Sequence, residues 1–149
     1  MTKDVLLSIK GLQFDGSDEN AEIETVTNAE YYQRNNSHYV VYEEVHEGFQ
    51  ETSRNMIKFR DHGLEMTKKG LINVHMVFEE NKKSMTNYAT PYGDILMGID
   101  ARRVTVCEEE EKITVEVEYG LEMNYEHLAD CHITILLQAR NSSEEGGAE

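Results

Sequence analysis

KITVEVEYGLEM, residues Lys112 to Met123, alternates without a break between apolar and polar side chains. A period of two over this length predicts a β-strand with one buried face and one solvated face. At about 3.3 Å per residue the strand is about 36 Å long, well beyond the usual length of about five or six residues. A strand of this length needs equally long neighbours and a curved sheet. The stretch therefore predicts a coiled antiparallel sheet that closes, or nearly closes, into a barrel.

The rest of the chain reads as further strands joined by short connections. Sequential antiparallel pairing is the default for such connections, so we predict an all-β fold, an up-and-down antiparallel β-barrel of 8–10 strands. Turns are predicted at 15–18 and 34–37, and a helical turn or wide loop at Tyr125–Asp130. The strands are predicted at 5–10, Ala21–Gln33, His38–His46, Thr52–Arg60, Leu64–Lys68, Leu71–Glu79, Lys82–Thr90, Asp94–Val106, Lys112–Met123 and Cys131–Ala139.

Composition limits the classes of function. The chain has 149 residues, which favours one domain over 1–140, and residues 141–149 are predicted to be a disordered acidic tail. A formal net charge of −15 disfavours nucleic acid and anionic membranes as partners. No apolar run reaches the length of a membrane span, and no export signal precedes the first strand. Two cysteines without a pattern fit a cytoplasmic protein. A protein partner or a homo-oligomer stays open.

Four segments resemble the YwiB-like family of small bacterial proteins, a domain of unknown function (DUF1934). They are DVLLSIKG (Asp4–Gly11), YVVYEE (Tyr39–Glu44), MVFEENKK (Met76–Lys83) and YATPYG (Tyr88–Gly93). The resemblance covers nearly the whole chain except the acidic tail, and it implies a calycin fold, a lipocalin-like barrel. Family members often carry arginine before the glycine where this chain has Lys69-Gly70, so an anion contact there would lose its bidentate geometry. The family has no known activity, so the resemblance supplies no chemistry.

Thr90-Pro91-Tyr92-Gly93 is the most distinctive turn. Proline holds Thr90 extended, and glycine lets the chain leave at an angle open to few other residues. One interpretation is structural, with Tyr92 packed at the rim or plugging the end of the barrel. The other is a rim that admits a ligand, with Asn87 and Tyr88 supplying an amide and a phenol to orient it.

Tyrosines on the strands are further candidates for a ligand site. Tyr42, Tyr88, Tyr92 and Tyr119 lie on predicted strands or at their ends. Inside a barrel these large, polar-tipped rings could hold a small ligand, or they could simply fill volume and hydrogen-bond to a neighbour.

Glu43 and Glu44 are adjacent on a strand and therefore point to opposite faces, so they cannot act as a carboxylate pair. If the row containing Val41 faces inward, Glu43 does too, and it needs a cation partner such as Arg54 or Lys58. Glu43 is then either half of a buried ion pair or a carboxylate that binds a ligand.

Catalytic and metal-binding motifs are missing from the sequence. The six histidines show no zinc spacing, and Glu108–Glu111 lacks the pattern of a calcium loop. No phosphate loop, dinucleotide turn or nucleophile motif occurs. Cys107 and Cys131 are predicted at opposite ends of the ninth strand, too far apart for a disulfide. We therefore predict no metal, no cofactor and no enzymatic activity.

Two classes of function remain. The first is a binding module whose barrel interior holds a small, partly apolar molecule; the second is a structural or interaction protein with a filled core. Interior volume separates them, because large in-phase side chains fill a barrel and small ones leave room. The large residues are Phe59, Phe78, Tyr119 and Met123, and the small ones are Ala29, Gly98 and Gly120.

Overall fold

The computed structural model describes residues 3–11 and 24–140, and ten antiparallel strands form one sheet within them. No helix occurs in these residues, so none that could span a bilayer is present in the part described. The predicted turn at 15–18, the start of the second strand and the tail at 141–149 lie outside the described residues. The strands are β1 Asp4–Lys10, β2 Glu24–Arg34, β3 Ser37–Val45, β4 Thr52–Arg60, β5 Gly63–Gly70, β6 Val74–Glu79, β7 Lys82–Thr90, β8 Gly93–Glu108, β9 Lys112–Met123 and β10 Glu126–Ala139.

The order of the strands confirms the predicted meander. Each strand pairs with the next in the chain, except that β6 and β7 form the two outer members of the sheet. The first and last strands, β1 and β10, pair over Val5↔Ala139 to Lys10↔Thr134 and join the two halves. Because β6 and β7 are joined by a two-residue turn, the sheet curls until its two edges face each other.

The seam between β6 and β7 leaves the barrel nearly closed. Among the described residues one isolated bridge spans the seam, between Asn73, just before β6, and Ala89 of β7; Asn73 N donates to Ala89 O at 3.1 Å and Ala89 N donates to Asn73 O at 3.0 Å. At the turn that joins β6 to β7, Asn81 N donates to Ala101 O at 2.9 Å and Glu80 Oε2 accepts from Val104 N at 2.9 Å, and both acceptor and donor partners belong to β8. The β6–β7 turn is thus fastened to β8, while β6 and β7 themselves form no continuous ladder.

Two hairpins use turns with consecutive positive φ angles. Asn35 and Asn36 have φ angles of 52° and 67°, which confirms the predicted turn between β2 and β3. Asn124 and Tyr125 have φ angles of 51° and 71° and join β9 to β10 in the same way. The prediction of a helical turn or wide loop at Tyr125–Asp130 is therefore wrong. Residues from Glu126 onward pair with β9, and a register shift between His127 and Ala129 interrupts the ladder that a simple alternation would show.

The interior of the barrel is filled along its middle. One side chain in two points inward on each long strand, and on β9 this row includes Val115, Val117 and Tyr119, all fully buried. Tyr119 packs edge-on against Phe78, with 5.0 Å between ring centroids. Other large side chains with less than 2 % exposure or close to it are Leu7, Ile57, Phe59, Leu64, Met66, Met76, Met97, Ile99, Ile113 and Leu121.

The glycines expected to leave room inside the barrel do not do so. A Cβ on Gly120 would lie 2.8 Å from Arg102 Nη2, so the guanidinium of Arg102 already covers this glycine. A Cβ on Gly98 would lie 3.0 Å from Met85 Sδ. Ala29 is buried in the inward row of β2. Both glycines belong to the outer rows of their strands, Gly120 between Glu118 and Glu122 on β9 and Gly98 between the inward residues Met97 and Ile99 on β8, so neither faces the interior.

Both cysteines are free, as predicted. Cys107 pairs in register with Thr114, and Cys131 pairs with Tyr119, on opposite sides of β9. The two register positions lie five residues apart on β9, which corresponds to about 17 Å along the strand. Cys131 lies further inside the sheet than predicted because β10 begins at Glu126.

One end of the barrel carries the turn Thr90-Pro91-Tyr92-Gly93, and we call it the Pro91 end. In an antiparallel meander, every second connection falls at the same end. The connections β3–β4, β5–β6 and β9–β10 therefore lie at the Pro91 end together with β7–β8.

Candidate functional site

Strand β3 turns the row of Val40 inward and the row of Val41 outward. Its inward row contains Val40, Tyr42 and Glu44, and Glu43 is exposed on the outer face. The condition under which Glu43 would face inward, an inward row containing Val41, is therefore not met. Its register partner is Arg54, also exposed, and the two line an open groove of about 420 Å³ on the outside of the barrel. Both faces of β3 carry apolar residues, so the local pattern could not determine its phase.

The carboxylate that enters the barrel is Glu44, and its partner is Lys68. Lys68 Nζ donates to Glu44 Oε1 at 3.0 Å, with the lysine side chain 8 % exposed and the glutamate side chain 30 % exposed. Strand β4 lies between them, and its Asn55 pairs in register with both Tyr42 and Lys68. The ion pair thus crosses over β4 on the inner face of the sheet.

Asn55 and Ser53 complete a buried polar group at the Pro91 end of the barrel. Asn55 Nδ2 donates to Glu44 Oε1 at 2.8 Å, and Ser53 Oγ donates to the same oxygen at 3.5 Å. Ser53 Oγ also lies 2.8 Å from His46 Nε2, in a hydrogen bond whose direction is set by the tautomer of the imidazole. We call Tyr42, Glu44, Ser53, Asn55 and Lys68 the Glu44 cluster.

The orientation of the Asn55 amide follows from its neighbour. Turning the amide over would place two acceptor oxygens 2.8 Å apart, so Nδ2 must face Glu44. Asn55 Oδ1 is then buried and has no hydrogen-bond partner among the described residues. A buried acceptor without a donor costs about 1–3 kcal/mol, unless a water or a ligand supplies the hydrogen.

Burial and neighbouring charges shift the pKa values of this cluster in opposite directions. Burial raises the pKa of Glu44, but the Lys68 ammonium and the Asn55 amide outweigh it and leave that pKa below the ordinary value. Burial raises the pKa of Tyr42 to about 12, with the Asn55 amide opposing the shift and Glu44 adding to it. At neutral pH the cluster therefore holds a carboxylate and a neutral phenol.

A small recess lies beside the ion pair. It has a volume of about 50 Å³ and is lined by Ile9, Thr25, Tyr42, Glu44 and Lys68. About 10–15 Å³ of such volume admits one water, so the recess has room for several waters or for a small polar group.

Of the predicted tyrosines, Tyr42 and Tyr119 are buried but lie in different surroundings. Tyr42 belongs to the Glu44 cluster and lines the recess. The Tyr119 ring fills the core, and its Oη is buried without a hydrogen-bond partner among residues 3–11 and 24–140. Burial, with a contribution from the Cys131 thiol, raises the pKa of Tyr119 far above its ordinary value.

The other predicted site residues, apart from Glu43, lie near the Pro91 end and differ in burial. Asn87 is exposed, and its Nδ2 donates to Asp94 Oδ2 at 3.2 Å. Tyr88 is partly buried and packs against the core. Tyr92 is 87 % exposed, and its ring meets that of Phe49 edge-on at 6.2 Å, so Tyr92 does not plug the barrel.

The side chain of Thr90 holds the turn Thr90-Pro91-Tyr92-Gly93 through two hydrogen bonds. Thr90 Oγ1 donates to Gly93 O at 2.9 Å and accepts from Tyr92 N at 3.1 Å. Gly93 has a φ angle of 127°, a conformation that favours glycine, which confirms the structural reading of the glycine in this turn.

Sequence reasoning missed most of the Glu44 cluster, although a signal for Lys68 was present. Lys68 continues the alternation of Leu64 and Met66, the two buried residues before it on β5, and an inward cation was therefore readable from the pattern. Lys69, which the family comparison singled out, is exposed. Within the described ranges, no three His, Cys, Asp or Glu side chains are placed to share a metal ion.

The fold is that of an all-β, up-and-down antiparallel barrel that is nearly closed, here with an ion pair inside one end. The chain belongs to the family described as a domain of unknown function, DUF1934, whose model matches residues 7–135. This confirms the resemblance seen in the sequence.

A solved relative supports the same architecture. The crystal structure of the YwiB protein from Bacillus subtilis superposes with a TM-score of 0.76, at 19 % sequence identity, over 93 % of this chain and 93 % of that chain. At this identity the similarity shows the fold alone. No curated protein matches the chain.

Proposed function

We propose that the protein binds a small molecule whose polar head group enters the recess beside Lys68 and Glu44. The observation that supports this proposal is the ion pair itself. Its two charged groups lie inside the barrel wall, where apolar side chains at positions 44 and 68 would avoid the cost of removing charges from water. A pair of charged groups among mostly apolar inward side chains is the kind of departure expected at a functional site. The proposal concerns binding and not catalysis.

The middle of the barrel limits the size of such a ligand. Because Phe59, Phe78 and Tyr119 are fully buried there, the ligand would not enter as deeply as in a hollow barrel. Its head group would occupy the recess, and the remainder would lie at the Pro91 end. The proposed ligand is partly apolar, as expected from the sequence, but it would lie nearer the rim than a ligand held in the middle of a hollow barrel.

A second candidate function is a protein-interaction module with a filled core. The observation in its favour is the set of exposed apolar side chains in or next to the connections at the Pro91 end. These are Val45, Phe49, Tyr92, Tyr125 and Leu128. In this interpretation the Glu44–Lys68 pair only fixes the register of β3, β4 and β5.

Native mass spectrometry of the protein purified from its own host separates the two candidates. For ligand binding we expect an adduct of constant mass on the wild-type chain that is lost in Lys68→Met. Glu43→Gln is the matched control, because Glu43 lies next to Glu44 on the same strand but on the outer face. This control should keep the adduct. Bare protein in all three samples, with wild-type stability, would contradict ligand binding and leave the interaction module.

A further inference from the structure

Building on the proposed function, we infer that the head group is neutral and carries both a hydrogen-bond donor and an acceptor, as a primary amide or an alcohol does. The inference rests on which hydrogen-bonding groups of Lys68 and Glu44 are already used. Both residues line the recess, so a group placed in it meets both.

The ion pair leaves one side of each partner available. Lys68 has three N–H donors, and the structure assigns one of them to Glu44 Oε1. Within residues 3–11 and 24–140, the hydrogen bonds to the Glu44 carboxylate come from Lys68, Asn55 and Ser53, and all three fall on Oε1. Glu44 Oε2 therefore has no donor among the described residues. A group that accepts from Lys68 and donates to Oε2 would satisfy both partners at once.

The charges of the cluster argue against an ionic head group. An anion next to Lys68 would also lie next to the carboxylate of Glu44, and a cation next to Glu44 would lie next to the ammonium of Lys68. Either would leave the site with an uncompensated charge in partly buried surroundings. The formal net charge of −15 disfavours an anion further. A neutral group with both functions avoids these costs.

The size of the recess restricts the head group to a few atoms. A volume of about 50 Å³ holds a carboxamide or a hydroxyl group but not a ring. The apolar remainder of the ligand would contact Ile9, since Ile9 is the apolar residue lining the recess.

Benzamide, benzoate and benzamidinium test the inference directly. The three compounds have nearly the same shape. The head group of benzamide both donates and accepts hydrogen bonds, that of benzoate only accepts them, and that of benzamidinium only donates them. Each is titrated into ¹⁵N-labelled protein at neutral pH, and the backbone amide shifts of Ile9, Tyr42 and Lys68 are followed. We expect benzamide to bind about tenfold more tightly than either ion, which is the worth of about one hydrogen bond to a charged group.

Charge variants should change the preference in opposite directions. Glu44→Gln removes the carboxylate, so benzoate should now bind best and should raise the melting temperature of this variant. Lys68→Met removes the ammonium, so benzamidinium should bind best. Glu43→Gln on the outer face should leave the wild-type order unchanged. If Glu44 and Lys68 had purely structural roles, replacing them would not change which of the three compounds binds most tightly.

The possible failures are distinguishable. If benzoate or benzamidinium binds the wild-type protein more tightly than benzamide, the inferred head group is wrong while the proposed ligand site stands. If none of the three shifts the amides of the cluster at millimolar concentration, both the inference and the proposed function are contradicted.

Discussion

Lys68 Nζ and Glu44 Oε1 lie 3.0 Å apart although β3 and β5, which carry them, are not neighbours in the sheet. The contact crosses Asn55 of β4, whose amide donates to the same carboxylate oxygen. Three strands are thus joined on the inner face by one carboxylate. Removal of any member leaves a polar group inside the wall without its partner, which gives the cluster measurable consequences for stability.

Glu44→Gln should reduce stability at neutral pH by about 2 kcal/mol, because it leaves Lys68 without its counterion. The pKa of Glu44 is below its ordinary value of 4.5, so its contribution is fully present above that value and is lost as pH falls through the folded-state pKa. The free energy of unfolding in urea is measured for both proteins at several pH values between 7 and 3. The difference between wild type and Glu44→Gln should become smaller as the pH falls. Glu43→Gln should stay within about 0.5 kcal/mol of wild type. A gap that widens in acid would contradict this account.

Val117→Glu should be among the most damaging substitutions on β9, and Glu118→Val should be mild. Val117 is fully buried, so a carboxylate there would be desolvated without a partner, at a cost of several kcal/mol. Glu118 is exposed on the other face. Melting curves of the two variants measure the difference, and equal melting temperatures would show that β9 does not separate a dry face from a wet one.

Tyr92→Ala should change the free energy of unfolding by no more than about 0.5 kcal/mol. The side chain is 87 % exposed, and its main aromatic neighbour is Phe49. Chemical denaturation gives the value. A loss of about 3 kcal/mol, as expected for a buried aromatic residue, would mean that Tyr92 closes the barrel end after all.

Tyr119→Phe should leave stability unchanged or raise it. The Tyr119 hydroxyl is buried without a hydrogen-bond partner among the described residues, so its removal ends a desolvation cost and keeps the ring that packs on Phe78. Tyr119→Ala is the contrasting variant and should cost about 3–5 kcal/mol. If Tyr119→Phe is itself destabilising by more than about 1 kcal/mol, the hydroxyl is bonded, with the Cys131 thiol as the nearest candidate.

Nucleic acid should not bind with useful affinity. Binding to a phosphate backbone is driven by lysine and arginine side chains that displace its counterions. A chain with a formal net charge of −15 lacks the excess of such side chains. A gel shift with duplex DNA and single-stranded RNA at physiological salt should show only free nucleic acid. Micromolar binding that weakens as salt rises would refute this expectation.

Local alternation determined most of the strands. The bounds of β4, β7 and β9 agree with prediction to the residue, because each has a clear alternation or ends at an unmistakable turn. The short connections then left sequential pairing as the simplest arrangement, and the length of Lys112–Met123 required curvature. The class of fold followed from these features without any knowledge of distant contacts.

The candidate site depended on information that the sequence does not display. Strand β3 is apolar on both faces, with Val40 inside and Val41 outside, so its phase was set only by packing against its neighbours. That choice turned Glu44 inward and Glu43 outward. Lys68 lies 24 residues further along the chain and reaches Glu44 only because β4 places the two strands on one curved wall. Alternation is a property of neighbouring residues and can be read from the sequence, whereas the pairing of two charges across an intervening strand exists only once the sheet has formed.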